Sequence, residues 1–195
     1  MSSSETSLSL SLAQRDLLLD VADASIEHGL TAGRPLPVVS GAHPPPLRVL
    51  LATFVTLRID GELRGCMGSL EATEPLVENV ARNAFAAAFR DPRFPPLAAA
   101  EFARLDAHLS ILSPPQPLGF ASQAELLALV RPGLDGLILI EGPRRGTLLP
   151  AVWEHLPDPH EFLAHLKRKA GLPPTYWSDT LRVMRYTAES VARYD

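Results

Sequence analysis

The sequence predicts an α+β fold, a mostly antiparallel sheet with packed helices, arranged as one domain or as two lobes with a cleft between them. Three observations predict it. Thr53 to Ile59 alternates apolar and polar residues and runs into Asp60-Gly61, a strong two-residue hairpin signal. Leu105–Ile111 and Thr180–Tyr186 alternate with the same period. Helical patterns fall between these strands without the regular strand-helix alternation of a parallel sheet. With 195 residues, 46% of them apolar and 21% charged, the chain is long enough to bury a core.

Taken in order, Ser11 and Gln14 form a capping box, and Leu17, Leu18, Val21, Ala22 and Ser25 follow helical spacing, which predicts a helix over 12–28. Residues 31–46 hold five prolines and read as a surface loop. The hairpin follows, with its return strand over 62–69. A two-residue loop sets Ile59 against Glu62, Leu57 against Arg64, Val55 against Cys66 and Phe54 against Met67, so Arg64 and Cys66 share one face and Leu63 and Met67 the other. Thr73 is the expected N-cap of a helix running to Arg90, whose stripe of Leu76, Val80, Ala84, Ala87 and Ala88 is small enough to lie close to a sheet. Asp91-Pro92 ends it and leaves Asp91, Arg93 and Phe94 in an ordered corner. After the strand at 105–111, Ser122 and Glu125 start a short helix over 123–130. Leu137–Glu141 and Thr147–Leu149 form strands joined by a basic tip. Asp158, Pro159 and Glu161 begin a further helix that ends in Lys167, Arg168 and Lys169, read as solvated residues or C-terminal capping cations.

Composition excludes several function classes. A net charge of −4 lacks the basic excess of a nucleic-acid or anionic-membrane binder. No apolar run reaches membrane-spanning length, and the N-terminal MSSSETSLSLSL has neither the basic leader nor the apolar core of a secretory signal. A single cysteine excludes an internal disulfide and a multi-cysteine zinc site and fits a cytoplasmic location.

The words LRGCMGSLE resemble the hallmark of the AMMECR family, whose motif reads LRGCIG, with Met67 standing where isoleucine is usual. Its bacterial members are called AmmeMemoRadiSam system protein A. Ala84–Pro96, Asp106–Ser113 and Gly136–Gly171 resemble the family's later blocks, in order. The resemblance implies a single AMMECR-type domain over 1–195, with an N-terminal helix and proline-rich loop at 1–46 and the family core at 47–195. It also implies partners, a Memo-like protein akin to extradiol dioxygenases and a radical SAM protein, without assigning a reaction.

The chemistry centres on Cys66. The thiolate is the reactive form and a nearby cation favours it, so Arg64 is the expected companion of the sulfur. Gly65 and Gly68 flank the thiol, where strand glycines mark a bulge or the close approach of a backbone or ligand. The alternative for Cys66 is a small buried hydrophobe. A thiol-dependent hydrolase needs a base, for which His108 leads and His43, His155, His160 and His165 follow. Asp91, Arg93 and Phe94 are candidates to line the same cleft. His160 and His165 lie about 140° apart on a helix and form no metal-binding pair, so neither a metal nor a cofactor is expected. Two readings follow: a substrate-presenting or binding module that works with partner proteins, and a thiol-dependent enzyme using Cys66.

Overall fold

The structure, a computed structural model, describes residues 10–193. The described residues divide into two compact units, one of residues 10–113 with 189–193 and the other of residues 114–188. Each unit has its own four-stranded sheet. The class is α+β with antiparallel strand pairs, as expected, but the strands divide between two sheets.

In the first unit α1 spans Leu12–Ala32, with the expected capping box at Ser11 and Gln14. It continues past the expected end because Gly29 is a contact point; a Cβ there would stand 2.5 Å from the Phe89 ring. The helix stops instead at Gly33, in the left-handed region at φ 65°. The proline-rich loop follows, with short 3₁₀ turns at Ser40–Ala42 and Pro45–Arg48. Strands β1 (Thr53–Ile59) and β2 (Glu62–Gly68) form the hairpin, α2 covers Leu76–Phe89, α3 is a single turn at Ala99–Phe102, and β3 covers Leu105–Leu112. The cap of α2 is Pro75, whose backbone carbonyl closes the first turn, so Thr73 is not the N-cap. The last strand of this sheet, β8 (Ala188–Val191), comes from the far end of the chain, and the order is β2-β1-β3-β8.

The core of this unit lies between the sheet and helices α1 and α2. Val55 and Leu57 of β1 are fully buried, as are Leu76, Val77, Val80 and Ala84 of α2. Beneath the apolar contacts lies a buried polar knot. Thr53 Oγ1 donates to Asn79 Oδ1 at 2.6 Å, and Asn83 Nδ2 donates to the Thr53 carbonyl and hydroxyl, each at 3.1 Å. These bonds fix the axial position of α2 against the start of β1, because sliding the helix leaves buried donors and acceptors unpaired.

The second unit has β4 (Gln116–Pro117), α4 (Gln123–Leu129), β5 (Gly136–Glu141), β6 (Arg144–Leu148), α5 (Pro159–Lys169) and β7 (Arg182–Tyr186), with sheet order β4-β7-β5-β6. Its core joins Leu137, Leu139 and Val183 to Phe162, Leu163 and Leu166, with Trp153 stacked on Phe162 at 3.7 Å between centroids. Lys167 is only 1% exposed, so it is not a solvated helix end. Its ammonium donates to Gln123 Oε1 at 2.6 Å and to the Pro174 carbonyl at 3.2 Å, and burial pushes its pKa down.

Candidate functional site

The hairpin register differs from the expectation. Ile59 does face Glu62, but Arg58 faces Leu63 and the next pair is Leu57 with Gly65, so Arg64 is an extra residue in a β-bulge. Beyond it every partner moves by one: Thr56 faces Cys66, Val55 faces Met67 and Phe54 faces Gly68. The pairing of Val55 with Cys66 is therefore corrected to Thr56 with Cys66. A one-residue shift also reverses faces. Met67 packs against the core beside Val55, whereas Leu63, expected to be buried with it, is exposed.

The bulge has two visible associates. Gly65 lies directly under α2, where a Cβ would come within 2.1 Å of the Ala87 carbonyl oxygen. Arg64 is drawn away to the segment after α2. Its Nε and Nη2 donate to the two carboxylate oxygens of Glu101 at 2.8 and 3.1 Å, and Nη2 also reaches the Pro95 carbonyl at 3.0 Å. Glu101 is thereby held well below the usual carboxylate range, at about 2, first by the Arg64 hydrogen bond. Arg64 is thus the partner of Glu101 and not a cation dedicated to the sulfur.

Cys66 itself is met, through its backbone, by the corner after α2. Asp91, buried, accepts the Cys66 N–H at 2.8 Å through Oδ2 and holds Arg93 by two bonds, Nε to Oδ1 at 3.0 Å and Nη2 to Oδ2 at 2.7 Å. The Arg93 hydrogen bond, with smaller help from the two backbone N–H groups, keeps the Asp91 carboxyl far below its ordinary range. Arg93 is in turn held charged, first by its hydrogen bond to Asp91. Phe94 sits between the two guanidinium groups, with Arg64 5.8 Å and Arg93 5.5 Å from its ring centroid. Because β2 is an edge strand, the Asp91 contact also occupies a backbone donor that would otherwise lie open.

On the sheet face turned from α2, the register aligns three strands. Cys66 faces Thr56 across β2 and β1, and Thr56 faces His108 across β1 and β3. The Thr56 hydroxyl donates to Cys66 Sγ at 3.3 Å. At the other end of the row, His108 Nε2 lies 2.8 Å from Asp106 Oδ2. A carboxylate only accepts, so this contact places the proton on Nε2 and leaves Nδ1 as the basic nitrogen of the neutral ring. Thiol, hydroxyl and carboxylate-held imidazole therefore form one line, all half-buried. Gly68 belongs to the neighbouring row, under the Phe54 ring; a Cβ there would meet Phe54 Cγ at 2.4 Å.

The family model for AMMECR1 matches residues 19–191. The chain belongs to the AMMECR1 family. Similar AMMECR1-family relatives include a protein of Methanothermobacter thermautotrophicus, 39% identical over 88% of this chain and 90% of its own length. A Thermotoga maritima protein is 41% identical over 70% of this chain and 74% of its own. Among solved structures, the uncharacterized protein PH0010 from Pyrococcus horikoshii superposes with a TM-score of 0.81 at 35% identity, covering 89% of this chain and 88% of that one.

Within this AMMECR1 fold, the expected site residues fall into three groups. Cys66 and His108 share the aligned row. Asp91, Arg93 and Phe94 meet the hairpin at its edge, with Arg64 on the far side of Phe94. Gly65 and Gly68 are used for packing and give the thiol no open approach. His43 lies in the proline-rich loop, where its carbonyl accepts from Arg48, and His155, His160 and His165 belong to the second unit. Sequence reasoning missed Thr56, Asp106 and Glu101. Asp106 was within reach of it, two residues before His108 on one strand and hence on the same face. Thr56 required knowledge of the bulge. No group of histidine, cysteine and carboxylate side chains suited to a metal occurs among the described residues, and no helix among them is long and apolar enough to cross a membrane.

Proposed function

We propose that this AMMECR1-family protein is a thiol-dependent enzyme in which Cys66 attacks an electrophilic carbon of its substrate, the Thr56 hydroxyl donates to its sulfur and His108 receives its proton. The observation that carries this reading is the row Cys66–Thr56–His108 with Asp106 behind the histidine. An enzyme of this kind needs a base held by an orienting group, and the row supplies both within one unit. In the step, the Cys66 S–H bond breaks as a C–S bond forms. The thiol proton passes to His108, Asp106 stabilises the resulting imidazolium, and the Thr56 hydroxyl donates to the thiolate left behind. The imidazolium returns the proton to the leaving group as the bond between that group and the attacked carbon breaks. Asp91 fixes the Cys66 backbone and holds the Arg93 guanidinium by the same carboxylate.

The test is the rate of iodoacetamide alkylation as a function of pH in the native protein. Thr56→Val keeps the side-chain shape and deletes the donor to sulfur; a hydrogen bond to a charged group is worth roughly 1.5–3 kcal/mol, so alkylation at pH 7 should slow by about tenfold or more. His108→Gln should slow it as well. Alkylation indistinguishable from a small reference thiol and unchanged in both variants refutes the enzyme reading. Cys66 is then packing, and the substrate-presenting module beside Memo-like and radical SAM partners becomes the reading to pursue.

A further inference from the structure

The second unit contains a groove that nothing in the thiol chemistry uses. It has a volume of about 350 Å³ and lies along β7 and the chain that follows β4. Its origin is local. β4 pairs with β7 through Gln116 and Pro117, the Leu118 N–H gives one more bond to Val183 at 2.9 Å, and the chain then separates from β7 over Gly119 and Phe120. Proline has no N–H to give the ladder and glycine leaves no side chain beside Arg182, so the sheet edge opens there into a trough.

The lining is apolar except at one point. Pro117, Phe120, Ile140, Leu181 and Met184 supply the walls. Ile140 and Arg182 are direct partners across β5 and β7, and Met184 is two residues along β7, so the three share one face. Arg182 is exposed and, among the described residues, no carboxylate pairs with it. An apolar trough with a single unmatched guanidinium selects one kind of ligand, an apolar body carrying one anionic head. The planar fork of arginine matches a carboxylate through two parallel N–H bonds, whereas a phosphate would bring a second charge that nothing in the groove meets.

We propose that this groove binds a small amphipathic carboxylate, its head on Arg182 and an aliphatic tail along Ile140, Met184 and Phe120. The volume lies at the small end of ligand pockets, which run from ~300 to 1,000 Å³, and suits a chain of about six to ten carbons. Gly119 provides a clean control. It lines the groove, a Cβ built there meets no atom within 4 Å and the backbone is not left-handed, so a larger side chain is accommodated at this position without disturbing the fold.

The experiment is a titration of the full ¹⁵N-labelled chain with sodium octanoate below its micelle concentration, read by amide chemical shifts, with octan-1-ol as the neutral probe of equal length. Octanoate should give saturable shifts in residues 118–120 and 181–184 and bind roughly tenfold more tightly than the alcohol, the size of one partly exposed charge-assisted bond. Arg182→Gln should abolish that preference, and Gly119→Leu should block both probes while leaving amide positions elsewhere unchanged. Equal affinity for the two probes, undiminished binding by Gly119→Leu, or no saturable shift in these two segments overturns the proposal.

Discussion

Replacing Gly65 by alanine should force α2 off the sheet. The added Cβ would stand 2.1 Å from the carbonyl oxygen of Ala87 and 3.1 Å from its carbon, where an ordinary contact is 3.4–4 Å. Relief therefore requires a displacement of about 1 Å or more between β2 and α2, because a backbone oxygen has no rotamer to change. The helix is poorly placed to yield. Leu76, Val77, Val80 and Ala84 are fully buried, and Asn79 and Asn83 are tied to Thr53. Opening such contacts by 0.5–1 Å forfeits a quarter to a half of their dispersion attraction, and overpacked cores lose 1–3 kcal/mol or more, so a cost of about 3 kcal/mol is expected. The assay needs care. Trp153 and Trp177, the chain's two tryptophans, both lie in the second unit, so indole fluorescence does not report this change directly. Urea unfolding followed by far-ultraviolet circular dichroism, with amide exchange over residues 53–89, observes the right unit. Gly41→Ala, with no atom within 4 Å of the new Cβ, should change stability by less than about 0.5 kcal/mol. A Gly65→Ala protein within about 1 kcal/mol of the parent, with normal exchange in α2, refutes the packing account of this glycine.

Three further outcomes are expected. Asp91→Ala leaves the Cys66 N–H and the Arg93 guanidinium without their shared acceptor, so thermal melts should show a loss of roughly 2–3 kcal/mol, with Asp91→Asn intermediate; an unchanged melting temperature contradicts the edge contact. Asp91 and Glu101 both have depressed folded-state pKa values, so their stabilisation is complete above about pH 4.5 and is lost as pH falls, for Glu101 through about 2; Glu101→Gln should flatten the acid limb of stability against pH. Lys167 gives a slope of the same sign, from a penalty relieved on deprotonation. Its folded pKa lies below the unfolded 10.5, the unfolded chain binds more protons, and stability should rise as pH rises towards 10.5; denaturant midpoints at pH 7 and pH 10 should differ less in Lys167→Met.

The parts of this molecule that were legible in the sequence are those governed by local rules. The Asp60-Gly61 turn, the alternating strands, the capping box of α1 and the corner at Asp91 all follow from neighbouring residues, and the return of that corner to the hairpin follows from the length of one helix. The register was not legible, because the bulge at Arg64 is bound up with groups far along the chain: the Ala87 carbonyl under Gly65 and Glu101 beside the guanidinium. With the register went Thr56, since only the shifted pairing sets its hydroxyl against the sulfur. Glu101 lies in a stretch with no periodicity, so nothing local marked it as the partner of Arg64. Lys167 looked like a helix C-terminal cation because its acceptors, Gln123 and the Pro174 carbonyl, are tertiary neighbours. The division of the strands into two sheets rests on β8, a four-residue strand two positions beyond the end of β7 that joins a different sheet.

That last strand has a consequence for synthesis. β3 is complete by Leu112, yet its outer neighbour β8 begins at Ala188, after the whole of the second unit. At translation rates of about 5–20 residues per second, the intervening stretch takes roughly 4–15 s to emerge, far longer than a hairpin needs to form. During that interval the nascent first unit holds β1 between two partners while one flank of β3 stays bare. A ribosome stalled anywhere in residues 114–187 therefore releases a chain with a ready template for intermolecular pairing, and fragments ending there should accumulate in inclusion bodies or with chaperones.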